Sequence, residues 1–255
     1  MIRRLVLIAS LATVTILAFS APASATYHFN LIRQIHPSNG INGGEWVELQ
    51  AFADGQNLIS GNAWIRTFNS TDQLQSQYLI TGSNPLNGRS QRTILISSLV
   101  SPAGVDADFV APVAQLQMTG QDGAVCFTHN DPPAYTPIDC VAYGNYMGSL
   151  PGVGTPAAAT PFESTLERSI TKGCGTALDT ADDTDNSTAD FALSTSPPRN
   201  NSATPTEMPC ATTPPGNPAS PVNPAGNVRK RKCKKKQKRS VEIAKKKKCK
   251  KKKKR

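Results

Sequence analysis

The 255 residues carry 28 Lys and Arg against 18 Asp and Glu, a net +10, with 38% hydrophobic residues. That sum hides two opposed regions, so one overall charge describes neither. Residues 229–255 hold 19 of the basic residues against the single acid Glu242, a net +18. Residues 26–228 hold seven basic and seventeen acidic residues, a net −10.

The chain opens as a secretory leader does. Arg3 and Arg4 are followed by an apolar run over residues 5–19 and by the small residues Ala23, Ser24 and Ala25, an A-x-A cleavage pattern. A run of about 15 residues falls short of the roughly 20 that a membrane span needs, which argues against a retained anchor. Residues 1–25 are therefore expected to be a signal peptide, Thr26 the start of the exported chain, and the protein secreted or associated with the cell envelope. No later segment is apolar enough to cross a bilayer.

Residues 26–210 are long enough for one core and alternate short apolar stretches with turn residues. Strands are expected over 31–35, 45–52, 62–68, 77–80, 92–98, 114–118, 124–128 and 138–143, of which 45–52 (EWVELQAF) shows the clearest period of two. No stretch of ten or more residues carries a convincing helical period. Many short strands with Gly and Pro turns predict an all-β sandwich or barrel.

Six cysteines in an exported chain suggest disulfides. Cys126 and Cys140 fall on consecutive expected strands, where hairpin pairing sets them opposite each other, and Cys174 and Cys210 bracket the end of the body. Four cysteines allow three connectivities; the spacing favours 126–140 with 174–210.

Catalytic motifs are missing. The three histidines, His28, His36 and His129, sit in no nucleophile-elbow, zinc-protease or phosphate-loop context. His36 before Pro37 reads as a solvated turn residue, and His129 has Asp131 as a conceivable partner. The chain is read as non-enzymatic, with no cofactor. The acidic segment containing Asp179, Asp182, Asp183, Asp185 and Asp190 is the best metal candidate, in the oxygen chemistry of Ca²⁺. Counted from Asp183, however, Thr188 and Ser194 stand where an EF-hand loop needs Gly and a bidentate Glu. Turn capping and pairing with Arg168 are the favoured account, so no metal site is assigned.

Several segments resemble the lamin-tail domain found in secreted bacterial proteins. Glu45-Trp46-Val47-Glu48-Leu49 followed by Asn57-Leu58-Ile59-Ser60-Gly61 is similar to that family's E-[FW]-[IV]-E-L strand and L-x-G turn, and Ile138-Asp139-Cys140-Val141-Ala142-Tyr143-Gly144 to its V-D-x-V-x-[YW]-G strand. Ser164-Thr165-Leu166-Glu167-Arg168, then Asp182-Asp183-Thr184-Asp185-Asn186, Asp190-Phe191 and Pro197 to Asn201 resemble its S-L-x-R…D-T-x-D-N…D-F…P-x-P-x-N ending. The usual Trp after the turn is displaced here to Trp64. The resemblance implies an immunoglobulin-like β-sandwich serving as an adaptor or binding module, its ligand unspecified.

Residues 211–228, rich in Pro and Gly, read as an extended linker. Residues 229–255 contain two eleven-residue basic blocks, each with its cysteine fifth (Cys233 and Cys249), and such a charge density predicts a disordered tail. Its charge must recruit an anionic partner through Arg229, Lys230, Arg231, Lys232, Lys234, Lys235, Lys236, Lys245, Lys246, Lys247, Lys248, Lys250 and Lys251. Anionic cell-wall or membrane polymers are the leading partner, since each basic residue near an anionic membrane contributes about 1 kcal/mol. Extracellular nucleic acid is the rival; without Trp, Tyr or Phe in the tail it would be bound nonspecifically. A tail that only solubilises, and a secreted hydrolase with its site on loops, are the remaining alternatives.

Overall fold

In the computed structural model the described residues are 27–38, 44–118, 121–130, 136–160 and 164–208. The expected signal peptide, Asp131, Cys210, the linker and the basic tail with Cys233 and Cys249 lie outside them. All described residues belong to the first of two units, Met1–Ala211.

The described chain is mostly β. Ten strands run β1 (Asn30–His36), β2 (Trp46–Ala51), β3 (Ala63–Phe68), β4 (Leu74–Leu79), β5 (Thr93–Ser97), β6 (Phe109–Val110), β7 (Gly123–His129), β8 (Pro137–Tyr143), β9 (Thr165–Arg168) and β10 (Phe191–Ser194). They form a six-stranded sheet in the order β10-β9-β1-β2-β5-β6 and a four-stranded sheet in the order β4-β3-β7-β8. Every pairing is antiparallel except β5 with β6. Among the described residues no helix is long and apolar enough to cross a membrane.

Period-two alternation decides which side chains meet between the sheets. Ile32, Ile35, Val47, Leu49, Ile94, Ile96 and Leu166 from the larger sheet join Ile65, Val125, Phe127, Val141 and Tyr143 from the smaller one in one buried cluster. A second cluster lies on the opposite face of β7 and β8, where Ala124, Cys126, Cys140 and Ala142 are covered by Tyr146 and Val153. Gly144 makes the turn that starts this cover. Its φ is +68, and a Cβ there would run into the Gln121 carbonyl and Asp122, so glycine is the residue that fits.

Seven of the eight expected strands are present, each shifted by a few residues at most. The exception is 114–118. Pro112, with φ −55, starts a 3₁₀ turn over Val113–Gln115, because it has no N–H to give to a ladder and its φ is fixed. Leu116 and Met118 still reach the core, and the Gln117 N–H donates to the Ser76 hydroxyl at 2.8 Å instead of joining a strand. His36 is a second correction. It ends β1 and lies flat on the Trp46 ring, centroids 5.4 Å apart and planes 8° apart, rather than in a solvated turn.

Candidate functional site

Three polar arrangements on this framework are candidates for function. The first is built on Arg168, the last residue of β9 and only 1% exposed. Two residues after the core residue Leu166 on a strand of the six-stranded sheet, it turns its guanidinium into the interior, where it must be fully bonded. Nε donates to the Ile32 carbonyl at 2.9 Å and Nη1 to the Asp182 carbonyl at 3.0 Å. Nη2 donates to both oxygens of Asp139 on β8, at 2.8 and 2.6 Å. Asp183 stands 3.3 Å and Asp190 3.7 Å away, and the guanidinium carbon lies 4.5 Å from the centre of the Phe191 ring.

Burial opposes the Arg168 charge, but Asp139, Asp183 and Asp190 outweigh it and hold its pKa above the ordinary value. Burial likewise raises Asp139 to about 6, against the pull of Arg168. The sequence expectation placed Arg168 against the 179–190 carboxylates. The shortest contacts are instead to Asp139, which sequence reasoning left unassigned although it stands in the quoted V-D-x-V segment.

In the acidic segment Asp179, Asp182 and Asp190 accept hydrogen bonds from the chain itself. Asp179 and Asp182 form a reciprocal capping box around the turn Thr180–Asp182, and Asp182 also accepts the Lys172 amide at 3.0 Å. Asp190 accepts from Lys172 Nζ at 2.6 Å and from the Thr184 hydroxyl at 2.7 Å. Arrangements filled by N–H and O–H donors do not present the converging oxygens that a calcium ion requires. Among the described residues no group of three or more His, Cys, Asp or Glu converges in metal-binding geometry.

A second ionic group covers the outer face of the six-stranded sheet. Glu48 on β2 is fully buried because residues 195–207 cross that face. Arg199 donates its amide to Glu48 at 2.7 Å and approaches it through Nη2 at 3.1 Å, while Nη1 meets Glu207 at 2.9 Å. Burial raises the Glu48 carboxyl from 4.5 to about 7, with Arg199 pulling back. Arg33 and Glu167 pair beside it at 2.6 Å. The same crossing segment is pinned by Asn201, whose side chain donates to the Asn87 and Thr93 carbonyls at 3.0 Å.

The third arrangement is open to solvent. On the outer face of the four-stranded sheet a groove of about 840 Å³ is lined by Trp64, Gln77, Leu79, Thr81, Val110 and Gln115, among others. Register places Trp64 opposite Leu79 and Arg66 opposite Gln77. Arg66 lies 5.6 Å over the Trp64 ring and donates to Gln77 at 3.0 Å, while the Trp64 indole N–H donates to Asn130 at 2.6 Å. This half-buried indole with amides and a hydroxyl around it has the mixed apolar and polar lining of a binding surface. Sequence reasoning noted Trp64 only as a displaced motif residue; the ring's surroundings come from β4 and from residues near 115, too far along the chain for any local signal.

The expected Cys126–Cys140 disulfide is present, joining directly opposed residues of β7 and β8. Cys174 is also disulfide-bonded; Cys210, its expected partner, is outside the described residues, as are all thirteen basic residues assigned to anionic polymers. His129 bonds through Nδ1 to the Tyr27 hydroxyl at 3.0 Å. Comparison of the chain with protein families, curated proteins and solved structures yields no match.

Proposed function

We propose that this chain is an exported, non-enzymatic binding module of the cell envelope, an immunoglobulin-like β-sandwich of lamin-tail type held on anionic wall or membrane polymers by residues 229–255. The observation that carries the proposal is the separation of charge. The body, residues 26–228, has a net −10 and the last 27 residues a net +18. Six of the body's seven basic side chains, Arg33, Arg66, Arg92, Arg168, Lys172 and Arg199, donate to groups of the body itself. A polyanion is therefore repelled by the body and attracted by the tail.

The lamin-tail reading is supported by where the resembling segments meet. Glu48 of the E-W-V-E-L strand pairs with Arg199 of the 197–201 ending. Asp139 pairs with Arg168 of the Ser164 to Arg168 segment, which also reaches Asp183. Each pair joins motif segments far apart in sequence. The Trp64 groove is the surface we assign to the module's own ligand, whose binding there needs no catalytic group.

The test compares the full chain with one ending at Val228, both sedimented with purified cell wall, with anionic vesicles and with double-stranded DNA. The proposal expects retention of the full chain on wall or vesicles and none of the shortened one. Retention of both would move binding to the sandwich, and retention on DNA alone would favour the nucleic-acid reading.

A further inference from the structure

The chain holds three Asn-x-Ser/Thr sequences, Asn69-Ser70-Thr71, Asn186-Ser187-Thr188 and Asn200-Asn201-Ser202. In an exported protein this is the acceptor pattern for N-linked glycans, provided that it lies on a surface loop. Asn69 lies on such a loop, between β3 and β4. We propose, resting on the reading of the chain as exported and going beyond it, that Asn69 is the acceptor of an N-linked glycan.

The loop is tight. The Asn69 amide donates to the Gln73 carbonyl at 2.9 Å and the Asp72 amide to the Asn69 carbonyl at 3.3 Å. The Asn69 side chain organises the rest. Its Oδ1 accepts from the amide and the hydroxyl of Thr71, both at 3.0 Å, and from the Gln73 amide at 2.9 Å, and all three contacts are exposed. The carboxamide and the hydroxyl that a transferase reads together therefore stand side by side at the surface. Nδ2 carries two protons, and Gln73 Oε1 accepts one of them at 2.9 Å. In the transfer, Nδ2 bonds to the anomeric carbon of a sugar carried on a lipid pyrophosphate. The bond from that carbon to the pyrophosphate oxygen breaks, and the lipid pyrophosphate leaves with the electron pair. A base of the transferase takes one Nδ2 proton. The other stays for Gln73, so the loop keeps its bonds.

The fold disfavours the other two sequences. Oδ1 of Asn186 is buried, Ser187 is 1% exposed with its hydroxyl on the Val153 carbonyl at 2.8 Å, and the Thr188 amide is held by the Thr155 carbonyl at 2.9 Å. A sugar has no room there. Asn200 repeats the contact from hydroxyl to carboxamide, with the Ser202 hydroxyl 2.7 Å from Oδ1. Its Nδ2, however, donates to the Asp106 carbonyl at 2.8 Å, its own carbonyl accepts from the Thr93 hydroxyl at 2.9 Å, and the next side chain, Asn201, is buried. That segment is pinned to the sheet and does not lift into an active site, whereas the Asn69 loop projects from a hairpin.

The experiment recovers the protein from outside its own cells and maps its peptides by mass spectrometry, before and after enzymatic release of N-linked glycans in heavy-oxygen water. The peptide containing Asn69 should carry a glycan mass, and release should leave a heavy-oxygen aspartate at that position. Asn69→Gln should lose the glycan. Thr71→Ala should lose it too, although Asn69 remains, and Thr71→Ser should keep it; circular dichroism should show all three variants folded. The proposal is overturned by a bare Asn69 in the exported chain, by a glycan on Asn186 or Asn200 in its place, or by a glycan that survives Thr71→Ala. Each of these leaves export standing. A chain kept inside the cell with residues 1–25 attached would overturn the export reading and the modification with it.

Discussion

Arg168 on β9 and Asp139 on β8 tie the two sheets together through a buried pair, with Nη2 2.8 and 2.6 Å from the two carboxylate oxygens and both side chains sealed from solvent. The Ile32 amide of β1 completes the contact by donating to the same carboxylate at 2.6 Å. A pair bonded on every side tolerates removal of one member badly, because the other remains as an uncompensated buried charge.

Arg168→Met should therefore destabilise the body by about 3–5 kcal/mol, read from urea unfolding. Arg168→Met combined with Asp139→Asn should cost less than the two single changes together, since each has already removed the partner of the other. Additive losses would show that the pair does not act as a unit.

Stability should fall as pH rises across the titration of Glu48. Its carboxyl is raised from 4.5 to about 7 by burial, so within that window the folded chain holds a proton that the unfolded chain has released. Linkage then lowers stability from about pH 4.5 up to about 7 and leaves this contribution level above it. Asp190, Glu167 and Glu207 act in the opposite sense. Hydrogen bonds and cationic partners hold each below its ordinary value against burial, and the stability they contribute is lost as pH falls through the acid range. Glu48→Gln should flatten the slope between pH 5 and 7 in thermal melts; an unchanged slope would remove Glu48 as its source.

Reduction of Cys126–Cys140 should lower stability by about 3 kcal/mol for a loop of this length, and the double change to Ala should reproduce it. A non-reducing peptide map should also link Cys174 to Cys210. A map joining Cys174 to Cys233 or Cys249 would instead tie the tail to the body.

Calcium should leave the melting temperature unchanged, because Asp179, Asp182, Asp183 and Asp190 already accept from N–H and O–H donors. A melting temperature that climbs with free Ca²⁺ would show a native-state ligand.

The sequence made the central strands legible because their apolar residues alternate, as Val47 and Leu49 do in β2. It misled over 114–118, where Leu116 and Met118 alternate too but Pro112 sets a turn. The short strands β9 and β10 escaped notice, since four residues hold too few alternations and β9 carries the charged Arg168 on the same core face as Leu166, where an apolar residue would have marked the strand. Glu48 was hidden for a related reason. Its face of β2 is covered by Arg199, about 150 residues later, and no local periodicity reports a cover that arrives from so far along the chain. The Trp64 groove has the same origin, whereas the cysteine pair on β7 and β8 was readable because a hairpin is local.

The central claim is that charge alone, carried by residues 229–255, retains the protein on its anionic partner. The direct measurement is salt elution of three chains from immobilised cell wall: native, every tail Lys replaced by Arg, and every tail Lys and Arg replaced by Gln. Screening shortens from about 10 Å at 0.1 M salt to about 3 Å at 1 M. The account predicts that native and Arg-tailed chains bind at low salt and elute before 1 M under reducing conditions, with the Arg-tailed chain held as well or better through bidentate contacts, while the Gln-tailed chain does not bind. Retention of the Gln-tailed chain, or native binding that survives 1 M salt, would contradict it.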